Sequence, residues 1–236
     1  MEFRLLRADE IDCRVSTVSQ WGVGLLLYKD ARCDMNILDE KVTPFNWQRD
    51  HKELKGNIYC GVSIFDEKRG IWVTKWDCGK ESYTESEKGE ASDSFKRACF
   101  NWGIGRELYT APNMFVFAKD LKTLENDGKK WTCKDSFKVT DIQYVDKKIT
   151  FVEILNLKTN AYITFGTPAT EAKKTEDIAK SFIDEPKKKV LIATAKKKGV
   201  ELVKVLERYK VNSVDEMTVD AWTKAMNVLS KMNDME

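Results

Sequence analysis

The stretch Asn57-Ile58-Tyr59-Cys60-Gly61-Val62-Ser63-Ile64, the run Asp66-Glu67-Lys68-Arg69-Gly70 after it, and Ile71-Trp72-Val73-Thr74-Lys75-Trp76 decide how this chain folds. Ile58, Cys60, Val62 and Ile64 alternate along the first run, which is the period of a strand with one buried face. The polar run ending in glycine reads as a turn. The returning run is rich in β-branched and aromatic residues, which suit a pleated surface. The pattern predicts an antiparallel hairpin inside a larger sheet.

A helix is expected after the hairpin. Thr84 and Glu87 fit a capping box, in which each side chain satisfies a backbone N–H at the helix start. Ala91, Phe95, Ala98, Cys99 and Trp102 form an apolar stripe, and Gly103 is a natural stop. That stripe leaves Lys88, Ser92, Lys96 and Arg97 on or beside the other faces. Further strands are expected over Met114–Phe117, Trp131–Val139, Ile149–Leu155 and Ala161–Phe165, separated by Gly128 and the turn Asp146-Lys147-Lys148.

Toward the N-terminus, Asp9 is placed to cap a helix carrying Ile11, Val15 and Val18. Gly24 to Tyr28 reads as a buried strand. A second helix should run from about Asp30 to Val42, with Met35, Leu38 and Val42 on one face and Pro44 just beyond. Beyond the sheet, residues 166–186 are polar, contain Pro168 and Pro186, and read as a linker. Three short helices follow: one ending at Gly199, one from Val200 to Tyr209, and one capped by Thr218 with Val219, Trp222, Met226 and Leu229 on one face. The expected architecture is α+β, an antiparallel β-sheet with a β-β-β-α core packed on a long helix. Residues 1–165 form the main domain, 166–186 the linker and 187–236 a small helical C-terminal domain.

Hydrophobic residues make up 42% of the chain, enough to build a core. No apolar run approaches the length of a membrane-spanning helix, and the N-terminus lacks the pattern of a signal peptide, so a cytoplasmic location is expected. Six cysteines without a C-x-x-C pair, and one histidine, give no structural zinc spacing. The thiols are expected to be reduced. The net charge is only +2, so any nucleic-acid site must come from how charges are arranged. No P-loop and no Gly-x-Ser-x-Gly motif is present.

Three strings carry a resemblance. The first is Tyr28-Lys29-Asp30-Ala31-Arg32, with Asn36-Ile37-Leu38-Asp39-Glu40 and Asn46-Trp47 after it. The second is Gly56-Asn57-Ile58-Tyr59-Cys60-Gly61-Val62. The third is Asp93-Ser94-Phe95-Lys96-Arg97-Ala98, closed by Trp102-Gly103. In this order, across roughly residues 8–112, the chain resembles the ring-forming single-strand annealing proteins: the phage Sak type and its eukaryotic double-strand-break-repair relative, Rad fifty-two. The resemblance implies a β-β-β-α core, a ring- or helix-forming homo-oligomer with a cationic groove, and no nucleotide cofactor. It also implies single-stranded DNA and an annealing duplex intermediate as partners, phage recombination and DNA repair as the setting, and a bacterial host cytoplasm as the location.

Annealing needs an extended strand with neutralised phosphates and free base edges. Cations aimed at phosphates meet both needs, because phosphate contacts position a strand without reading it. By the resemblance, Lys96 and Arg97 match the adjacent basic pair of the groove, Arg32 a backbone-contacting arginine, and Lys88 a further groove residue. Arg14, Arg49, Lys75 and Lys80 are candidates for the basic rim. The competing readings are a solvated helix face for Lys96 and Arg97, an ion pair with Asp30 or Asp34 for Arg32, and an i,i+3 pair with Glu85 for Lys88. Trp47, Trp72 and Trp76 either stack bases or pack in the core or ring interface. Glu81, Glu85, Glu87, Glu90 and Asp93 near the helix predict a narrow groove.

The runs Lys187-Lys188-Lys189 and Lys196-Lys197-Lys198 read either as extra DNA affinity or as part of a module docking a host single-strand-binding protein or a phage exonuclease. Val190, Leu191, Leu202, Leu206, Trp222 and Met226 are the expected core of that module, which is marginal in size for folding alone. Two other functions compete with annealing. A metal-dependent nuclease would draw on Asp30, Asp34, Asp39 and Glu40. A ring-forming phage scaffold or adaptor would bind only protein.

Overall fold

The hairpin forms as the alternation predicts, and a third strand completes it. β3 (Trp47–Leu54), β4 (Asn57–Asp66) and β5 (Ile71–Cys78) make an antiparallel sheet in the order β3-β4-β5. Before them in the chain come β1 (Asp12–Ser19), β2 (Gly22–Tyr28) and helix α1 (Ala31–Val42); helix α2 (Ser86–Trp102) follows. The structure is a computed structural model in which residues 1–79 and 86–234 are described, residues 86–88 by backbone alone. The capping box expected at Thr84 and Glu87 lies outside the described residues.

The rest of the first compact unit, Met1–Ala169, is β-rich. After α2 come β6 (Phe115–Phe117), β7 (Glu125–Asn126), β8 (Trp131–Thr132), β9 (Phe137–Val145), β10 (Lys148–Asn156) and β11 (Ala161–Gly166). Six strands join in the order β11-β10-β9-β1-β2-β6, and β7 pairs with β8. Every named pairing is antiparallel. Among the described residues the fold is thus a mixed α+β arrangement of antiparallel sheets and six α-helices.

One expected helix is a strand. Ile11, Val15 and Val18 sit at helical spacing, yet Val15 and Val18 lie in β1 and Ile11 just before it. A bulge between Val15 and Thr17 inserts one residue against β2, so Val18 returns to the face of Cys13 and Val15 after a step of three. β3 carries no alternation signal because seven of its eight residues, all but Trp47, are exposed. It is an edge strand, and charged edges discourage pairing with foreign strands.

α1 starts where Asp30 accepts a hydrogen bond from the Cys33 amide at 3.0 Å, the expected N-cap. α2 ends at Trp102, before Gly103 takes a φ of +102°. Its stripe is inward as expected: Phe95, Ala98 and Cys99 are fully buried against Cys60, Val62 and Ile64 of β4. The Trp102 indole N–H donates to the Val62 carbonyl at 2.9 Å, tying the end of the helix to the central strand.

The second unit, Thr170–Glu236, holds most of α3 (Ala169–Lys180) and all of α4 (Glu185–Lys197), α5 (Leu202–Arg208) and α6 (Val219–Ser230). α3 is helical within the segment read as a linker and buries no residue. Thr218 caps α6 through the Ala221 amide, as expected. Leu191, Ala195, Val205, Met217, Ala225 and Leu229 form the core, with Leu202, Leu206, Trp222 and Met226 packed on it. Val190, expected in this core, is 47% exposed instead, because Leu191 occupies the inward position on α4. Among the described residues no helix is long and apolar enough to cross a membrane.

Candidate nucleic-acid interface

Lys96 and Arg97 follow one another on α2 and so point about 100° apart. Both are half-buried and lie at the two edges of the helix surface that the core does not cover. On one flank the Arg97 Nε meets the Asp77 carboxylate of β5 at 3.4 Å. Asn101, one turn on, donates to the Asp77 carboxylate at 3.2 Å and to the Trp76 carbonyl at 3.1 Å. On the other flank Lys96 faces α1. Burial pushes the Asp34 carboxyl up to about 6, against the opposing pull of Lys29 and, more weakly, of Lys96. Lys96 has no hydrogen bond or ion pair among the described residues.

Arg32 stands in the first turn of α1, with its side chain 86% exposed and its Nε 3.3 Å from Asp30. The pair expected from sequence is present, but an ion pair this exposed is weak and readily exchanged. Arg49 on β3 lies over the Phe95 ring at 5.0 Å, next in sequence to Lys96 but on the sheet side of the helix. Lys75 lies on the same face of the sheet, nearer the end of α2: its ammonium donates to the Asn101 carbonyl at 2.8 Å and lies 4.4 Å from the centre of the Trp102 ring. There it satisfies the C-terminal end of α2, whose carbonyls attract cations. Arg14 belongs to the six-stranded sheet, exposed on β1 over the Tyr28 ring at 5.3 Å. Lys80 and the Lys88 side chain lie outside the described residues.

The carboxylates separate by role. Glu90, expected near the groove, is buried and accepts the Ile58 amide at 2.6 Å, so it does not face solvent. Asp34, read from sequence as a surface partner, is fully buried. Asp30 caps α1, Asp39 accepts the Trp47 indole N–H at 2.6 Å, and Glu40 pairs with Arg4. The four carboxylates weighed as a metal site are thus each drawn to a different partner. Among the described residues no group of three His, Cys, Asp or Glu is arranged to hold a metal ion.

The tryptophans also divide. Trp47 stacks on Phe95 with ring centres 6.1 Å apart, a core position. Trp72 and Trp76 are on the opposite face of the three-stranded sheet from α2 and are partly exposed. The Trp76 indole lies flat on Gly61, where an added Cβ would come within 2.6 Å of the ring. The Lys52 ammonium sits 4.6 Å from that ring's centre.

Three antiparallel strands backed by one helix form a β-β-β-α module, with two adjacent cations on the arc of the helix that the core does not cover. Residues 52–127 match the family model described as Rad52/22 family double-strand break repair protein. The matched span runs from within β3 through α2 to β7 and contains Lys75, Lys96 and Arg97. Over it the chain is similar to DNA repair and recombination proteins. No curated protein matches the chain.

Proposed function

We propose that this protein binds single-stranded DNA through the phosphates and anneals complementary strands, without nucleotide hydrolysis and without catalytic turnover. The observation that carries this reading is the adjacent pair Lys96 and Arg97 on the arc of α2 that the core does not cover, with Arg32 exposed on α1. Phosphate contacts from such cations hold a strand and leave its base edges free. The family match over α2 supports the same reading. The sequence resemblance extends it to a ring- or helix-forming homo-oligomer of phage origin, acting in recombination in the host cytoplasm.

Four of the six lysines in the two runs of the helical unit are paired within it. Lys187 pairs with Asp184, Lys188 with Glu185 and Asp215, and Lys197 and Lys198 with Asp234. These internal pairs favour a docking role for that unit, toward a host single-strand-binding protein or a phage exonuclease, over extra DNA affinity.

The test is binding of a labelled single-stranded oligonucleotide at low and high salt, followed by pairing with its complement. Tight, salt-sensitive binding with faster pairing is the expected result. No binding at low salt would leave a scaffold or adaptor, and strand cleavage with divalent metal would indicate a nuclease. Electron microscopy with and without oligonucleotide reads out ring or filament.

A further inference from the structure

Lys29 and Asp34 form an ion pair in the protein interior. The lysine ammonium is 2.5 Å from both carboxylate oxygens, and the two side chains are 1% and 0% exposed. The ammonium lies 4.9 Å from the centre of the Phe100 ring. The Cys99 thiol, in the last turns of α2, lies near the same carboxylate. Gly105 makes room for the lysine stem: it holds a φ of +76°, and a Cβ there would come within 2.2 Å of the Lys29 Cε. Four pieces of chain therefore converge on one buried charge pair: the end of β2, the first turn of α1, the last turns of α2, and the loop after α2.

Such a pair is a poor way to gain stability. Taking two charges out of water costs about as much as their attraction returns, and apolar residues of the same volume often do as well or better. What the pair supplies is direction. Apolar surfaces can slide against one another, whereas a charge-assisted hydrogen bond fixes both partners. Residues two apart on a helix point about 200° apart, so turning Asp34 inward turns Arg32 outward. Residues three apart share a face, so Cys99 lies under the flank that carries Lys96.

We propose that the Lys29–Asp34–Cys99 cluster is the positioning element of the DNA interface, setting Arg32 on α1 against Lys96 and Arg97 on α2. Asp34 is a positioning residue and touches no DNA. This rests on the reading of the chain as a single-strand binder.

The experiment replaces the pair with apolar residues, Lys29→Met with Asp34→Leu, in the full chain. Melting, oligomer size and the affinity for a labelled oligo-dT are measured across a salt series. The expected result is an intact fold and oligomer with weaker binding and a shallower salt dependence. Each phosphate that the variant no longer neutralises should take about 0.7 off the slope of log affinity against log salt, roughly a fivefold loss at ~0.1 M. A loss of stability alone would reduce the active fraction and leave that slope unchanged. An intact variant with wild-type affinity and slope overturns the proposal. Should the double variant fail to fold, Cys99→Val keeps the ion pair and its contact with the Phe100 ring and removes only the thiol beside it; the same fall in slope supports the proposal and an unchanged slope overturns it. A wild-type chain that binds no oligo-dT removes the underlying functional reading, a result distinct from either.

Discussion

Asp77 on β5 holds the Nε of Arg97 at 3.4 Å and leaves the outer nitrogens of the guanidinium without a partner among the described residues. The contact orients the fork without consuming it. Lys96, one residue earlier, keeps its whole charge available. The pair therefore offers one braced planar donor and one mobile point charge, two different ways of meeting a phosphate.

Changing Lys96 and Arg97 together to alanine should abolish single-strand binding while the oligomer stays intact, checked by fluorescence anisotropy and size-exclusion chromatography. Arg97→Lys should recover only part of the affinity, because lysine cannot both meet Asp77 through Nε and present a free fork.

Lys75 gives the contrasting case. Its ammonium is engaged by the Asn101 carbonyl and the Trp102 ring. Lys75→Met should lower stability by about 1–2 kcal/mol, because the hydrogen bond and the cation–π interaction both disappear. The salt dependence of DNA binding should not change. A slope as shallow as that of Lys96→Ala would return Lys75 to the DNA-contacting set.

Asp34 gives a pH signature. Burial raises its carboxyl to about 6 in the folded protein, so the fold takes up this proton more readily than the unfolded chain. Stability from this group should rise as pH falls from 7 through 6, and level off near the ordinary carboxylate range. The Lys29→Met, Asp34→Leu variant should lack that rise, and thermal melts of both proteins across this range test it.

Asp135 should behave in the opposite sense. It is buried, and burial works to raise its pKa. The Thr123 hydroxyl, the Lys122 and Thr123 amides and the Asn156 side chain donate to it and win, holding it below the usual range. Its stabilisation is present at neutral pH and lost as pH falls through its lowered value. Asp135→Asn should cost about 1.5–3 kcal/mol at neutral pH, and the difference from wild type should shrink in acid.

In the helical unit, Leu191 is fully buried. Leu191→Ala should cost about 2–5 kcal/mol and unfold that unit first. Differential scanning calorimetry would show an earlier transition, with oligo-dT affinity preserved.

Much of this is legible in the sequence because the deciding elements are regular. The alternation of Ile58, Cys60, Val62 and Ile64 and the stripe from Ala91 to Trp102 give β4 and α2 directly. β1 reads as a helix because a bulge at Ser16 puts Val15 and Val18 three apart, which imitates helical spacing. β3 escapes notice because an edge strand exposes most of its residues and keeps no apolar period. The site is half legible. Lys96, Arg97 and Arg32 stand at an open surface, whereas Lys75 is turned onto α2 by a carbonyl that only the fold brings near. The burial of Lys29 and Asp34 leaves no trace in composition, since a charged pair in the interior reads like any two surface charges. The signal available is the conjunction of Lys29 with Asp34 across a helix start, and it is not specific.

The six cysteines are free thiols, and Cys33, Cys60 and Cys99 are buried in the layer formed by α1, α2 and β4. Burial pushes the Cys33 thiol up to about 12 and that of Cys60 to about 11, and raises Cys99 further. A thiol in this state ignores an alkylating reagent until the surrounding helices part, so its trapping rate counts transient openings rather than intrinsic reactivity. The chain thus carries a built-in stopwatch for breathing beneath its cations, which needs no added label and would slow measurably when a bound strand clamps the two helices together.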